Sequence, residues 1–436
     1  MAKRFAWLLG VVVLVSIALL IACGSVYNKS SNGLVVVTSQ GSALLESFSF
    51  GLNSGSMTAV TNPPSNTGTL TQCVLNGIPS AIVVDPAGAY AYTIINKDAT
   101  LCGANSTANG IGVFKINSDG TLPANGTLTA DPNPVALVMD TTGKYLFVAE
   151  GLAGTVNSYS ISGGALTAVP STFTLALPPG AGFQPPNLAA IAVTPMILPP
   201  LVNGQQVAAC SSPENNPPSE YLYASDTVNN VIWEFSVNTS TGALGNPPNT
   251  TQVPYFPSPS FPQTGPPLSV PAGIAVDACD RFVYVSNNLA NNISAYTICN
   301  GMPTQSSQNC PALPPGGLVA VSGSPFNNAG NVTDPGPMLV DPFGNTLYVL
   351  NGATQTEGQI SVFRIAQISG SLGAATPVAT GEGPTSMAIR SDDSWLFVAN
   401  FNAGTLSQYS ITPSTGTLNA LPVTTTDNWP WGVAVK

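Results

Sequence analysis

The chain has 436 residues, of which 44% are apolar and only 7% charged, against roughly 25% charged in ordinary globular domains. Its formal net charge is −10, and past Lys3 and Arg4 it has no basic cluster, which excludes the electrostatic footprint of a nucleic-acid binder. Gly (42) and Pro (40) are abundant, yet short runs of Val, Ile and Thr recur throughout, so the composition excludes a disordered chain and points to β-structure with many turns.

At the N-terminus, Lys3 and Arg4 precede an almost unbroken apolar run from Phe5 to Ile21, short for a membrane-spanning helix. Leu20-Ile21-Ala22-Cys23 follows where a signal peptide would be cut. This segment resembles the lipobox of bacterial lipoproteins, which implies cleavage before Cys23 and lipidation of its thiol. Residues 1–22 are therefore expected to be a signal peptide and 23–32 a lipidated cysteine with its tether. No Asp follows Cys23, which by the sorting rule of that class favours the outer membrane. The expected address is the bacterial cell envelope, with the membrane as a partner through the lipid anchor.

From residue 33 to 436 one pattern repeats: Pro, a short apolar strand, Asp, a tight turn, then an apolar strand ending in a polar residue. Pro79–Asp85 is followed by a turn at Gly88. Pro134–Asp140 leads to Tyr145–Glu150, and Leu188–Thr194 leads, after an insertion, to Tyr221–Asp226. Pro271–Asp277 leads to Phe282–Asn287, Pro335–Asp341 to Leu347–Asn351, and Pro384–Arg390 to Trp395–Asn400. A third strand with a recurring aromatic follows (Phe48, Phe114, Tyr159, Phe235, Tyr296, Phe363, Tyr409), then a fourth opened by Gly120, Gly164, Gly242, Gly370 or Gly416. Four antiparallel strands per unit make a propeller blade. The N-terminal unit lacks a first strand, and Pro430–Lys436 is a first strand with nothing after it. The termini therefore complete one blade together, and the expected fold is an all-β seven-bladed propeller in a single domain, residues 33–436.

These repeats, with Tyr284-Val-Ser-Asn287, Tyr348-Val-Leu-Asn351 and Phe397-Val-Ala-Asn400, resemble the lactonase-like seven-bladed propellers. That family includes relatives of 6-phosphogluconolactonase and of muconate-cycloisomerising enzymes, and proteins with YVTN-type repeats. The resemblance implies lactone hydrolysis as an activity to be tested. Some enzymes of that family use His, Glu and Arg around the channel mouth. This chain has no His, so a Ser-His-Asp triad, a His base and a His-ligated metal are all ruled out, and a base would have to be a carboxylate. No phosphate loop or G-x-S-x-G elbow is present, and no cofactor or metal is expected.

The blade geometry sorts residues between two faces. Glu150, Asp226, Asn287, Asn351 and Asn400 end second strands, Glu382 lies in the loop before the last complete blade, and Trp429 precedes the closing strand. All fall on the face where innermost strands begin. Glu150, Asp226 and Glu382 are the carboxylates available for catalysis; Asn287, Asn351, Asn400 and Trp429 are candidate binding residues. Asp85, Asp140, Asp277 and Asp341 recur once per blade on the other face and read as turn formers, with Arg390 in their place in the last blade. Besides Cys23 the cysteines are even in number, as in exported disulfide proteins. Shared faces predict the pairs Cys73–Cys102, Cys210–Cys279 and Cys299–Cys310. The Pro-rich connection from Gly245 to Val270 is expected to be stiff and extended. The expected function is a binding platform for an envelope glycan, a small molecule or a protein, with the protein a monomer; the alternative is a lactonase acting on a sugar or other lactone at the channel mouth.

Overall fold

The computed structural model describes residues 32–60, 73–102, 109–123, 126–152, 154–170, 173–175, 185–194, 220–245, 270–299, 315–328 and 330–436. The leader with Cys23 lies outside these residues, as do Cys210, Cys310 and almost all of the Pro-rich connection. The described strands form seven antiparallel sheets, each with a core of four strands in sequence order from the centre outwards. In blade 1 the innermost strand is Pro430–Val435, followed by Asn32–Ser39, Leu44–Gly51 and Met57–Val60. The C-terminal strand thus pairs with the N-terminal one, Val35 opposite Val435 and Val37 opposite Val433, and closes the ring. The innermost strands of blades 2 to 7 are Ile78–Val84, Pro134–Met139, Leu188–Val193, Pro271–Val276, Pro335–Val340 and Pro384–Ile389. Each touches the next around the ring. Short segments absent from the repeat pattern, Phe173–Thr174, Phe326–Asn327 and Thr424–Thr425, add to the third strands of blades 3, 5 and 7.

The two-residue period of each strand sends alternate side chains to the two neighbouring blades. In blade 3, Tyr145, Phe147 and Ala149 pack with Leu222 and Trp233 of blade 4. Leu146 and Val148, between them in sequence, pack with Tyr92 and Ile111 of blade 2. Every blade-to-blade interface holds such an apolar cluster, so the core is a ring of wedges.

A polar latch accompanies most of these wedges. The hairpin before each outermost strand carries a glycine at positive φ, and a side chain of the preceding blade donates to that glycine's carbonyl. The donors are Tyr223 to Gly316 (2.9 Å), Tyr284 to Gly370 (3.0 Å), Tyr348 to Gly416 (3.0 Å), Ser158 to Gly242 (2.6 Å), Ser47 to Gly120 (2.9 Å) and Gln408 to Gly55 (2.8 Å). At the remaining junction the Tyr90 ring lies against Gly164, and the Tyr92 hydroxyl is buried and unpartnered.

The face opposite the start of the innermost strands, the lower face, is built by turn carboxylates. Asp85 Oδ1 accepts from the amides of Ala89 (2.6 Å) and Tyr90 (3.1 Å), and Asp140 Oδ1 from Tyr145 N (2.7 Å). Asp277 accepts from the Arg281 backbone N and guanidinium, and Asp341 from Phe343 and Asn345. Arg390, in the equivalent place in blade 7, pairs with Asp392. The Cys73–Cys102 bond is formed as expected. Cys279 and Cys299 are disulfide-bonded too; Cys210 and Cys310, their expected partners, lie outside the described residues.

Candidate functional site

The upper face, where innermost strands begin, collects every candidate catalytic and binding residue among the described ones. Six of the seven second strands end there in Ser39, Glu150, Asp226, Asn287, Asn351 and Asn400, each opposite the first residue of its innermost strand. These six side chains do not project into solvent; all are buried. They brace the hairpin to the third strand, mostly seven residues on. Asn287 Nδ2 donates to Ser294 Oγ (2.8 Å) and Asn292 Oδ1 (2.7 Å). Asn400 Nδ2 donates to Ser407 Oγ (2.9 Å), and Asn351 Nδ2 to Ser361 Oγ (2.9 Å) across a longer hairpin. Asp226 accepts from the Trp233 indole (3.1 Å), from Asn229 Nδ2 (2.7 Å) and from the amides of Asn187, Val228 and Asn229. Ser39 donates to Glu46.

Glu150 is the chemically distinctive member. It is 0% exposed and lies beside Asp131, a residue the repeat pattern did not single out. Burial, then the hydrogen bond and charge of Asp131, push its carboxyl up to about 8. Its Oε2 accepts from Asn133 N (2.7 Å) and its Oε1 from Asn157 Nδ2 (2.9 Å). Asp131 Oδ2 accepts from Tyr159 Oη (2.6 Å) and from Asn157 (3.2 Å). A carboxyl that keeps its proton at neutral pH is chemically a general acid, but this one is sealed from solvent. Asp226 is likewise buried, in its own loop. Glu382 is exposed in the loop before blade 7, and its backbone carbonyl accepts from Ala403 N (3.2 Å). The three candidate carboxylates thus sit in separate blades and converge on no common atom.

Trp429 has a different setting. It is 47% exposed, takes a left-handed backbone conformation (φ 62°), and stacks on Phe401 with ring centroids 5.8 Å apart. Trp431, not foreseen, stands edge-on to the same phenyl at 5.5 Å and is 37% exposed. In most blades the residue after the first residue of the innermost strand is extra to the ladder: Thr38 faces Gly432 while Ser39 faces Pro430. Trp431 is that bulged residue in blade 1, as Val135 is in blade 3, and a bulge re-aims a side chain that alternation alone would direct elsewhere.

Charge is divided between the faces. Arg281, Arg364 and Arg390, the arginines after the leader, all lie on the lower face: Arg281 opens a second strand, Arg364 ends a third and Arg390 follows an innermost one. Lys115, Lys144 and Lys436 are there too. Among the described residues the upper face has one base, Lys97, against Glu46, Asp98, Asp131, Glu150, Asp226, Asp334, Glu357, Glu382 and Asp427. None of the innermost strands carries a charged residue, so the wall of the central channel is uncharged. No group of His, Cys, Asp and Glu that could hold a metal occurs among the described residues.

A sequence profile of the family described as "Lactonase, 7-bladed beta-propeller" matches residues 322–430. No curated protein matches the chain. Among solved structures, a candidate 6-phosphogluconolactonase from Bacteroides fragilis is similar at 18% identity and a TM-score of 0.63, over 94% of this chain and 99% of that one. The periplasmic gluconolactonase PpgL of Pseudomonas aeruginosa is similar at 17% identity and 0.63, over 93% and 99%. At these identities the likeness shows the fold: a lactonase-like seven-bladed propeller.

Proposed function

We propose that the protein is an envelope-anchored propeller whose upper face is a binding platform and not a hydrolytic centre. The observation that carries this reading is the division of labour on that face. Of the three candidate carboxylates, Glu150 and Asp226 are buried in hairpin braces and the exposed Glu382 stands apart from both, while every arginine of the propeller lies on the opposite side. A phosphorylated sugar lactone needs a cationic clamp, for which arginine's planar fork is best suited. The acidic upper face opposes such a ligand. What it does expose is aromatic surface held on a rigid scaffold, which is how loops on stable folds carry binding sites. The Cys23 lipobox supports placement of that face in the cell envelope, held by the lipid. The likeness to the P. aeruginosa periplasmic gluconolactonase and the matched lactonase profile favour the second reading, a lactone hydrolase, by analogy of fold, which is a weak warrant for chemistry. Calorimetric titration with 6-phosphogluconate, the product anion of that chemistry, separates the two. No heat beyond dilution is expected; saturable binding would favour the hydrolase.

A further inference from the structure

We propose that Phe401, Trp429 and Trp431 form a stacking platform for a neutral sugar ring on the upper face. The inference deepens the binding-platform reading and rests on it. Both indoles lie against one phenyl, which is partly covered between them, so the exposed surface is two outward aromatic faces and not a cage closing around a cation. Aromatic faces are electron-rich, and the polarised C–H face of a pyranose complements them while its hydroxyls remain free for polar neighbours. Such residues are present: Asp427, Asn428 and Asn402, close in sequence to Trp429 and Phe401, are exposed, as is Glu382, whose carbonyl accepts from the Ala403 amide. Among the described residues neither indole N–H has a hydrogen-bond partner, whereas the buried indoles of Trp233 and Trp395 each have one. An anionic sugar is disfavoured by the acidic surroundings.

The platform is built in advance of any ligand. Trp429 holds a conformation that side-chain-bearing residues adopt at a cost of about 1–3 kcal/mol. Three backbone tethers to blade 1 keep it there: Gln40 N to Trp429 O (2.9 Å), Gly41 N to Asn428 O (3.0 Å) and Asp427 N to the Glu46 carboxylate (3.0 Å). Phe401 is fixed by its amide on Gly383 O (2.8 Å), and Thr385 Oγ1 donates to Trp431 O (2.8 Å). Rigid aromatic anchors lose little entropy on binding.

The test is tryptophan fluorescence of the full-length chain in detergent, titrated with cellohexaose, maltohexaose and chitohexaose, with choline as a cationic probe. Trp233 and Trp395 are buried and Trp7 is replaced by Phe in every sample, so protection from acrylamide quenching reports on the exposed pair. At least one hexaose is expected to saturate the signal. Trp429→Ala should weaken it about tenfold, the value of one lost aromatic contact. Ile368→Ala, an exposed lower-face change, should leave it unaltered. Trp429→Phe, retaining an aromatic face, should keep most of the affinity and serves as the check on folding. Saturation by choline and not by sugars, binding untouched by Trp429→Ala, or no binding by any hexaose overturns the assignment. Lactone turnover by the same sample would undo the platform reading itself; absent turnover with absent sugar binding undoes only the sugar.

Discussion

The hydroxyl of Tyr284 in blade 5 donates to the carbonyl of Gly370 in blade 6 at 3.0 Å, while the ring of Phe282 lies directly under the same glycine. A Cβ on Gly370 would come within 2.5 Å of Phe282 Cδ1, and the residue's φ is +72°. One glycine therefore serves a hydrogen bond, a ring contact and a left-handed turn, and the arrangement recurs around the propeller.

Gly370→Ala should therefore cost roughly 2–4 kcal/mol, combining backbone strain with overpacking. Gly163→Ala gives the comparison: its φ is also positive (+55°), but a Cβ there meets nothing within 4 Å, so strain alone remains. Tyr284→Phe should cost about 1–3 kcal/mol, because the buried Gly370 carbonyl loses its partner. Urea unfolding reads all three; equal losses for the two glycine variants would contradict the packing role.

The bond between Cys73 and Cys102 spans 29 residues of sequence. Loop-closure entropy over that length stabilises by roughly 3–4 kcal/mol. Cys73→Ser combined with Cys102→Ser should lower the urea midpoint accordingly, and a loss below about 1 kcal/mol would show that the blade junction is held by packing alone.

Stability should fall as pH rises from 5 to 9. Burial first, then a neighbouring carboxylate, pushes Glu150, Glu220 and Asp393 up to about 8. Glu234 and Asp280 are raised as well, by burial first. Each folded-state carboxyl keeps a proton that the unfolded chain releases near pH 4–5, so the native state binds more protons throughout that window and is favoured at its acid end. The melting temperature should be at least about 5 °C higher at pH 5 than at pH 9. Glu150→Gln should flatten part of this slope, since the amide has no proton to lose. A stability maximum at pH 8–9 would show these carboxyls to be ionised in the fold.

The blades, their order and the closure by Pro430–Val435 were legible because strand period, the Pro–Asp spacing and the turn glycines agree with one another. The site was less so. Asn287, Asn351 and Asn400 look alike as an open polar rim or as hairpin braces, and only the third-strand partners Ser294, Ser361 and Ser407 distinguish the two. Asp131 was missed because its contact with Glu150 is made across a loop, with Asn157 donating to both carboxyls, and no spacing marks it. Trp431 was missed because a register shift beside Ser39, which no sequence period encodes, turns it outward. A useful signal was present in the pair Trp429–Trp431: two indoles flanking a proline at the point of ring closure.

If Cys23 carries the lipid, Cys23→Ser should move the protein from the membrane pellet to the soluble fraction and abolish incorporation of radiolabelled palmitate. Unchanged fractionation would contradict the anchor.

The most direct measurement is turnover of a panel of sugar and simple lactones by the purified chain, beside Glu150→Gln and Glu382→Gln. No hydrolysis above the buffer rate is expected from folded protein, because among the described residues no carboxylate on the upper face is both exposed and joined to a second catalytic group. Hydrolysis that disappears in either variant would contradict the platform and place the catalytic base.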